Sequence, residues 1–388
     1  MTVTTGLDVL LMNPVKHLGS QTVALVTNHT GVTRSLESAM DAFHESPEIE
    51  LVVAFGPEHG VRGDVQDALG VESSVDRYTG LPVHSLYGDH LKPTPEALDG
   101  VDAMVFDIQD CGARFYTYVS TLTYCMEAAE ENGVSVVVLD RPNPVNGEKV
   151  EGNILEPGYE SFIGLHPVPI RHGLTMGELA LFINRGVGCD LTVVEMTGWD
   201  RGMWYDETGL PWVQPSPNLP TLDTATVYPG TCFFEGVNAS DGRGTNRPFD
   251  YLGAPWVDGR EWASALTGLG LPGVGFRACY FTPVFWRYSG ERCSGVQVHV
   301  SDRDSYKLVE AGLHLLRTLM DLHPGGFGFN EPTYEERRHF DLLAGTDGLR
   351  RSLAEGAEVM DMVSSWTPGL TRFRDECDSI LLYGEAAG

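Results

Sequence analysis

The chain has little lysine, no closely paired cysteines and no long apolar run, and each shortage removes a class of protein. Its seven cysteines (Cys111, Cys125, Cys189, Cys232, Cys279, Cys293 and Cys377) include no C-x-x-C spacing. Neither a disulfide framework nor a zinc site is expected, and the thiols read as buried and reduced. No stretch reaches the ~18 apolar residues of a membrane span. The opening MTVTTGLDVLLMNPVKH has no basic segment followed by an apolar core, as an export signal requires, so a soluble, cytoplasmic protein is expected. No G-x-G-x-x-G follows the first apolar strand and no G-x-x-x-x-G-K-[ST] occurs, which argues against a dinucleotide or nucleoside triphosphate. A G-x-S-x-G nucleophile turn is missing as well. Only 4 of the 26 basic residues are lysine, against 54 acidic ones, and the net charge is −28. Such a field repels nucleic acid and anionic membrane surfaces.

A length of 388 residues exceeds one hydrophobic core, so two domains are expected. In the first half, apolar runs at 23–27, 51–55, 103–106 and 135–139 alternate with helical patterns at 34–46, up to 132 and at 176–185. A fifth run at 191–196 completes the series. That alternation predicts right-handed βαβ units and a Rossmann-like parallel sheet. A first short helix is expected within 6–18, ended near Asn13-Pro14, and T-x-x-E at Thr175 and Glu178 predicts a capping box. Proline crowds residues 211–229. The division is therefore placed at 1–222 for the parallel-sheet domain and 223–388 for a smaller α+β domain. In the latter, strands are expected at 276–286 and 295–300 and a helix at 304–321.

Each of the first four strands runs into a loop rich in polar, Gly and Pro residues: TNHTG, GPEHG, DIQDCGARFYTY and DRPNP. In open α/β sheets ligands bind outside the carboxyl ends of the strands, so these loops are read as one rim. Glycoside hydrolysis in its common form needs two carboxyl groups, and the rim offers Glu58, Asp64, Asp107, Asp110 and Asp140. Glu58 follows Pro57 at the end of an apolar strand, where it is both held and partly desolvated. His59 is placed to orient it or to bond to backbone. Asp107 and Asp140 read equally as loop pins. Metal ligation by His29, His59, Asp107 and Asp140 lacks a recognised spacing. Phe115, Tyr116, Tyr118 and Tyr124 form an aromatic group that packs or lines a cleft. Arg62, Arg114, Arg141 and Arg171 serve either as ion-pair partners or as a clamp for an anionic ligand.

Taken together, LVTNHTG (25–31), GPEHGVRGD (56–64), VFDIQDCGARFYTY (105–118), LDRPNPVNG (139–147), PIRHGLTMGELA (169–180) and YPGTCFFEGVNASDGRGT (228–245) resemble the exo-β-N-acetylmuramidases of glycoside hydrolase family 171, long catalogued as a domain of unknown function. The resemblance extends over roughly residues 6–385. It implies a Rossmann-like domain, a smaller C-terminal domain and an active site between them. It also implies removal of N-acetylmuramic acid from the non-reducing end of peptidoglycan fragments, as in cell-wall turnover and recycling. The glutamate of its P-E-H-G motif falls on Glu58. Some members carry export signals; none is visible here. With the rim residues, the candidate catalytic set is Glu58, His59, Asp107 and Asp110. The candidate substrate-binding set is Asn28, His29, Arg62, Asp64, Arg114, Tyr116, Asp140, Arg171 and His172. Arg62 or Arg171, then Arg114, are the expected readers of the muramic carboxylate. No cofactor or metal is called for, and the partner is a small carbohydrate. The competing readings are a non-catalytic sugar- or muropeptide-binding protein and a metal-dependent amidase.

Overall fold

The computed structural model describes residues 2–63, 74–88, 90–333 and 336–384; Asp64 lies outside them. Along the chain run strands β1 (Thr22–Thr27), β2 (Glu50–Gly56), β3 (Ser74–Val75), β4 (Pro82–Ser85), β5 (Ala103–Asp107), β6 (Ser135–Leu139), β7 (Glu151–Ile154), β8 (Pro169–Arg171), β9 (Leu191–Val194), β10 (Tyr251–Ala254), β11 (Val274–Phe281) and β12 (Cys293–Val300). Seven of them form one sheet in the order β3-β4-β2-β1-β5-β6-β9. All its pairs are parallel except β3 with β4 at the edge.

Continuous apolar runs make these strands because both faces of the sheet are covered. Ala24, Val26, Met104, Phe106, Val136 and Val138 point to one face, packed by helices Tyr118–Asn132 and Met176–Val187. Val23, Leu25, Val105, Val137 and Leu139 point to the other, packed by helices Gly6–Met12 and Ala39–Glu45. The period of two along each strand assigns alternate residues to opposite faces. The chain builds β2 on one side of β1 and β5 on the other, so the winding reverses between β1 and β5. Crevices at such reversals are where α/β sheets hold ligands.

Several expectations shift in detail. The helix expected over 34–46 begins only at Ala39, because Leu36 takes a positive φ of 68° and Thr33–Glu37 closes a turn. The segment 6–18 is two helices, broken at Asn13, whose side chain caps the second helix starting at Pro14. The capping box of Thr175 and Glu178 is present in both directions. Residues 82–85, for which no strand was expected, add β4 beside β2.

In the second half, β10, β12 and β11 form an antiparallel sheet packed by helices Leu222–Thr231, Gly259–Gly268 and Leu308–Leu322. The core here also takes in Cys111, Ala113, Phe115, Val145, Ile170 and Trp204 from the first half, so the two halves share apolar packing. Helix Thr367–Cys377 returns to the first sheet, where Phe373, Cys377 and Ile380 join its core. Tyr383 then donates to Asp140 Oδ2 at 2.6 Å and accepts the amide of Met196 at 2.9 Å.

Two predictions follow from this packing. Helices Leu222–Thr231 and Leu308–Leu322 touch backbone to backbone at Gly230 and Gly312, where an added Cβ meets carbonyl oxygen. Gly312→Ala should destabilise the fold by about 1–3 kcal/mol, the usual cost of overpacking, read as a lower Tm. Asp140 is fully buried, and burial pushes its carboxyl up to about 6 despite the hydrogen bonds from Tyr383, Gly177 and Thr175. A carboxyl raised in the folded state is no burden below its unfolded pKa and weakens the fold as pH rises through the folded value. Tyr383→Phe removes one donor to the anion, worth about 1.5–3 kcal/mol. Its Tm deficit against the parent should therefore be larger at pH 8 than at pH 5.

Candidate active site

Strand β2 ends at Gly56, and the chain folds back so tightly that a Cβ there would lie 2.8 Å from the amide of Val61. The turn closes with the Gly60 amide donating to the Pro57 carbonyl at 2.9 Å. His59 occupies it at a positive φ of 73°, a conformation costing a β-carbon-bearing residue about 1–3 kcal/mol. That strain is tolerated because the turn presents Glu58, half-buried, at the end of the parallel sheet. Thr117, on the loop leaving β5, donates its hydroxyl to Glu58 Oε2 at 3.3 Å. The neighbouring Tyr116 and Tyr118 rings meet edge to face at 4.9 Å. Burial first, with the Glu58 charge adding to it, pushes both phenols well above their ordinary range, so they stay neutral.

The cleft beside Glu58 holds about 500 Å³ and is walled by both halves of the chain, within the usual size of a small-ligand site. From the second half comes Glu235, in a short 3₁₀ turn (Cys232–Gly236). Its carboxylate accepts from Arg243 Nη2 at 2.8 Å and lies 3.2 Å from His339 Nε2. Burial pushes Glu235 up, but Arg243 and His339 outweigh it and hold the carboxyl at about 2. Glu235 is therefore an anion at neutral pH. Phe115, Tyr116, Tyr228 and Phe249 make an aromatic floor, and Trp286 and Arg287 stand on the connection between β11 and β12. A larger depression of about 670 Å³ opens at the opposite end of the sheet, beside Asp102, Ser135 and Asp190. It has no aromatic wall and lies at the amino ends of the strands, away from the rim.

Of the residues singled out in the sequence, Glu58, His59, Phe115 and Tyr116 line this cleft. The other described candidates make contacts within the framework. Asp107 takes a two-pronged, buried ion pair from Arg141 at 2.6 and 2.8 Å. Asp110 accepts the Gly112 amide at 2.7 Å and faces buried His172 at 3.5 Å. Asp140 pins the start of helix Met176–Val187 through the Gly177 amide and the Thr175 hydroxyl. Asn28 folds its loop onto Thr30, and His29 bonds the Gln214 carbonyl at 2.7 Å. Arg62 is held on the surface by Asp41 and Asp76, and Arg171 is fully buried against Glu151. Arg114 gives its guanidinium to four backbone carbonyls. Sequence reasoning missed Glu235, Arg243, Trp286, Arg287, Asn330 and His339. Glu235 and Arg243 stand in the stretch 228–245 that carries part of the family resemblance, but no apolar strand runs into Glu235 to mark it. Among the described residues, no group of three His, Cys, Asp or Glu side chains is arranged to hold a metal ion.

Two carboxyl groups in an aromatic cleft, one from each half of the chain, make a site of the glycoside hydrolase class. Residues 23–223 match the family domain described as exo-beta-N-acetylmuramidase NamZ, N-terminal, and residues 226–383 match its C-terminal counterpart. The chain belongs to the exo-β-N-acetylmuramidase family. It is 48% identical over 383 residues, 98% of this chain and 91% of the relative, to the peptidoglycan beta-N-acetylmuramidase NamZ of Bacillus subtilis (strain 168). The fold is similar to crystal structures of two DUF1343 family proteins from Bacteroides fragilis NCTC 9343. One is 40% identical with a TM-score of 0.90, covering 98% of this chain and 99% of that one. The other is 31% identical with a TM-score of 0.77, covering 99% and 100%.

The Glu235 cluster has a measurable signature. A carboxyl depressed in the folded state stabilises above its unfolded pKa and loses that contribution as pH falls through the folded value. Glu235→Gln should therefore unfold at lower temperature than the parent at pH 7. The gap should close as pH is lowered from about 4.5 towards 2, followed by thermal melts across that range.

Proposed function

We propose that Glu58 is the general acid of the β-N-acetylmuramidase reaction of this glycosidase, protonating the glycosidic oxygen as its bond to the terminal N-acetylmuramic acid of a peptidoglycan fragment breaks, while water supplies the new bond at the anomeric carbon and the proton that restores Glu58. The observation that carries the reading is the pairing of a half-buried Glu58, oriented by Thr117, with an ionised Glu235 in one cleft. The B. subtilis relative's name, a peptidoglycan beta-N-acetylmuramidase, supports the substrate. Cleavage builds positive charge on the sugar ring, since the transition state is oxocarbenium-like. Glu235, held near 2, is a weak proton acceptor at neutral pH; its part is to place fixed negative charge where that cation develops. His59 and Tyr116 shape the wall next to Glu58, and Tyr116 gives the sugar an apolar face. Asp107 and Asp110, tied to Arg141 and Gly112, position the rim loops, and Glu235 takes the place of a rim aspartate as the second carboxyl. A cleft of about 500 Å³ suits one terminal sugar, which fits released fragments in wall turnover better than an intact mesh. A pure binder has no use for a second carboxylate kept charged beside Glu58.

The test is Glu58→Gln. Release of N-acetylmuramic acid from a disaccharide with a poor leaving group should fall ~10²–10⁴-fold. A nitrophenyl glycoside, whose leaving group needs little protonation, should lose less. Parent-like turnover of the disaccharide by the variant would refute the assignment.

A further inference from the structure

N-Acetylmuramic acid differs from N-acetylglucosamine by a lactyl ether on O3 that ends in a carboxylate. A protein of net charge −28 repels that anion at long range, so discrimination requires a local cation within the cleft. The guanidinium groups that line it are Arg243 and Arg287. Arg243 is already neutralised, with Nη1 2.6 Å from Asp241 and Nη2 2.8 Å from Glu235. Arg287 is different. Its recorded bond runs from Nη1 to the neutral amide oxygen of Asn330 at 3.2 Å, and among the described residues it joins no carboxylate.

The surroundings keep this guanidinium aimed, and among the described residues no carboxylate cancels its charge. Asn330 is fixed by its own amide nitrogen, which donates to the Glu235 carbonyl at 2.8 Å, and by its backbone amide, which donates to the Gly236 carbonyl at 2.9 Å. The residues flanking Arg287 both adopt positive φ, Trp286 at 68° and Tyr288 at 61°. Such backbone persists only where contacts over-determine it. Here Tyr288 donates its hydroxyl to the Asn238 carbonyl at 2.6 Å and accepts from Trp256 Nε1 at 3.1 Å. Trp286, 53% exposed, also lines the cleft, and its ring lies over the Arg243 guanidinium at 5.7 Å. A planar fork with N–H groups to spare, in a cleft that also carries aromatic rings, matches a carboxylate carried on a sugar ring.

We propose that Arg287, oriented by Asn330, binds the lactyl carboxylate of the muramic acid and is the residue that selects this sugar over N-acetylglucosamine. The assignment rests on the muramidase reading above and replaces Arg62, Arg171 and Arg114 as the expected anion readers, since those three point into ion pairs or backbone.

Arg287→Met and Arg287→Lys test it, each assayed on a chromogenic N-acetylmuramic acid glycoside and on the same glycoside with the lactyl carboxylate converted to an amide. Binding of free N-acetylmuramic acid is followed by calorimetry in parallel. Arg287→Met should lower kcat/KM on the carboxylate substrate roughly 10–100-fold, mainly through KM. It should leave the amide substrate within about twofold of the parent, and Arg287→Lys should recover part of the loss. Equal losses on both substrates, or an unchanged preference for the carboxylate, would overturn the proposal. A parent enzyme that releases nothing from either glycoside would refute the muramidase reading. Arg287 would then still stand or fall on whether Arg287→Met weakens binding of free N-acetylmuramic acid.

Discussion

One buried guanidinium ties the molecule together. Arg114 is 3% exposed and meets no carboxylate among its recorded bonds. It donates instead to the carbonyls of Asn153 and Val168 in the first half and of Leu343 and Ala344 in the second, at 2.7–3.0 Å. A cation without a counter-anion is costly to bury, and burial here pushes Arg114 down to about 9. Four bonds from its two terminal nitrogens to backbone oxygens are what make the position tenable. The consequence is geometric. Phe115, Tyr116 and Thr117 follow directly, so the floor of the cleft and the residue bonded to Glu58 are anchored to both halves at once.

The same economy runs through the rim. In a chain this acidic, arginines act as internal counterions. Arg141 neutralises Asp107, Arg171 neutralises Glu151, and Arg201 neutralises Glu178. These pairs tie together the segments they join, among them the ends of β5 and β6. Buried pairs of this kind add little net stability; their value lies in fixing loop geometry. Within the cleft the logic changes. Glu235 is held as an anion by its contacts with Arg243 and His339, while Arg287 bonds the neutral amide of Asn330.

The fold was largely legible because hydrophobic periodicity is a local signal. The runs at 23–27, 51–55, 103–106 and 135–139 became adjacent strands, and the capping box at Thr175 appeared as read. Edge elements were harder. Strand β4 is four residues long and earns its place through pairing with β2, which no local pattern announces. The site was legible only where it lay on the rim. Glu58 stood out because a strand ends at Gly56 and Pro57. Glu235 did not, since a carboxylate in a short 3₁₀ turn looks like a surface charge until Arg243 and His339 are brought to it from 8 and 104 residues away.

Composition and patterning alone settle that the chain is a two-core α/β protein with a parallel sheet, because strand and helix periods are set by neighbours within a few residues. They also mark the turn that carries Glu58, because Gly and Pro restrict the backbone wherever they occur. What they leave open is how each charged group is used. Asp107, Asp110, Asp140, Arg62 and Arg171 look no different in sequence from Glu235 and Arg287. Only the folded chain decides which charges find a partner in the framework and which reach the cleft. That choice depends on distances between residues far apart along the chain, and sequence spacing does not encode them.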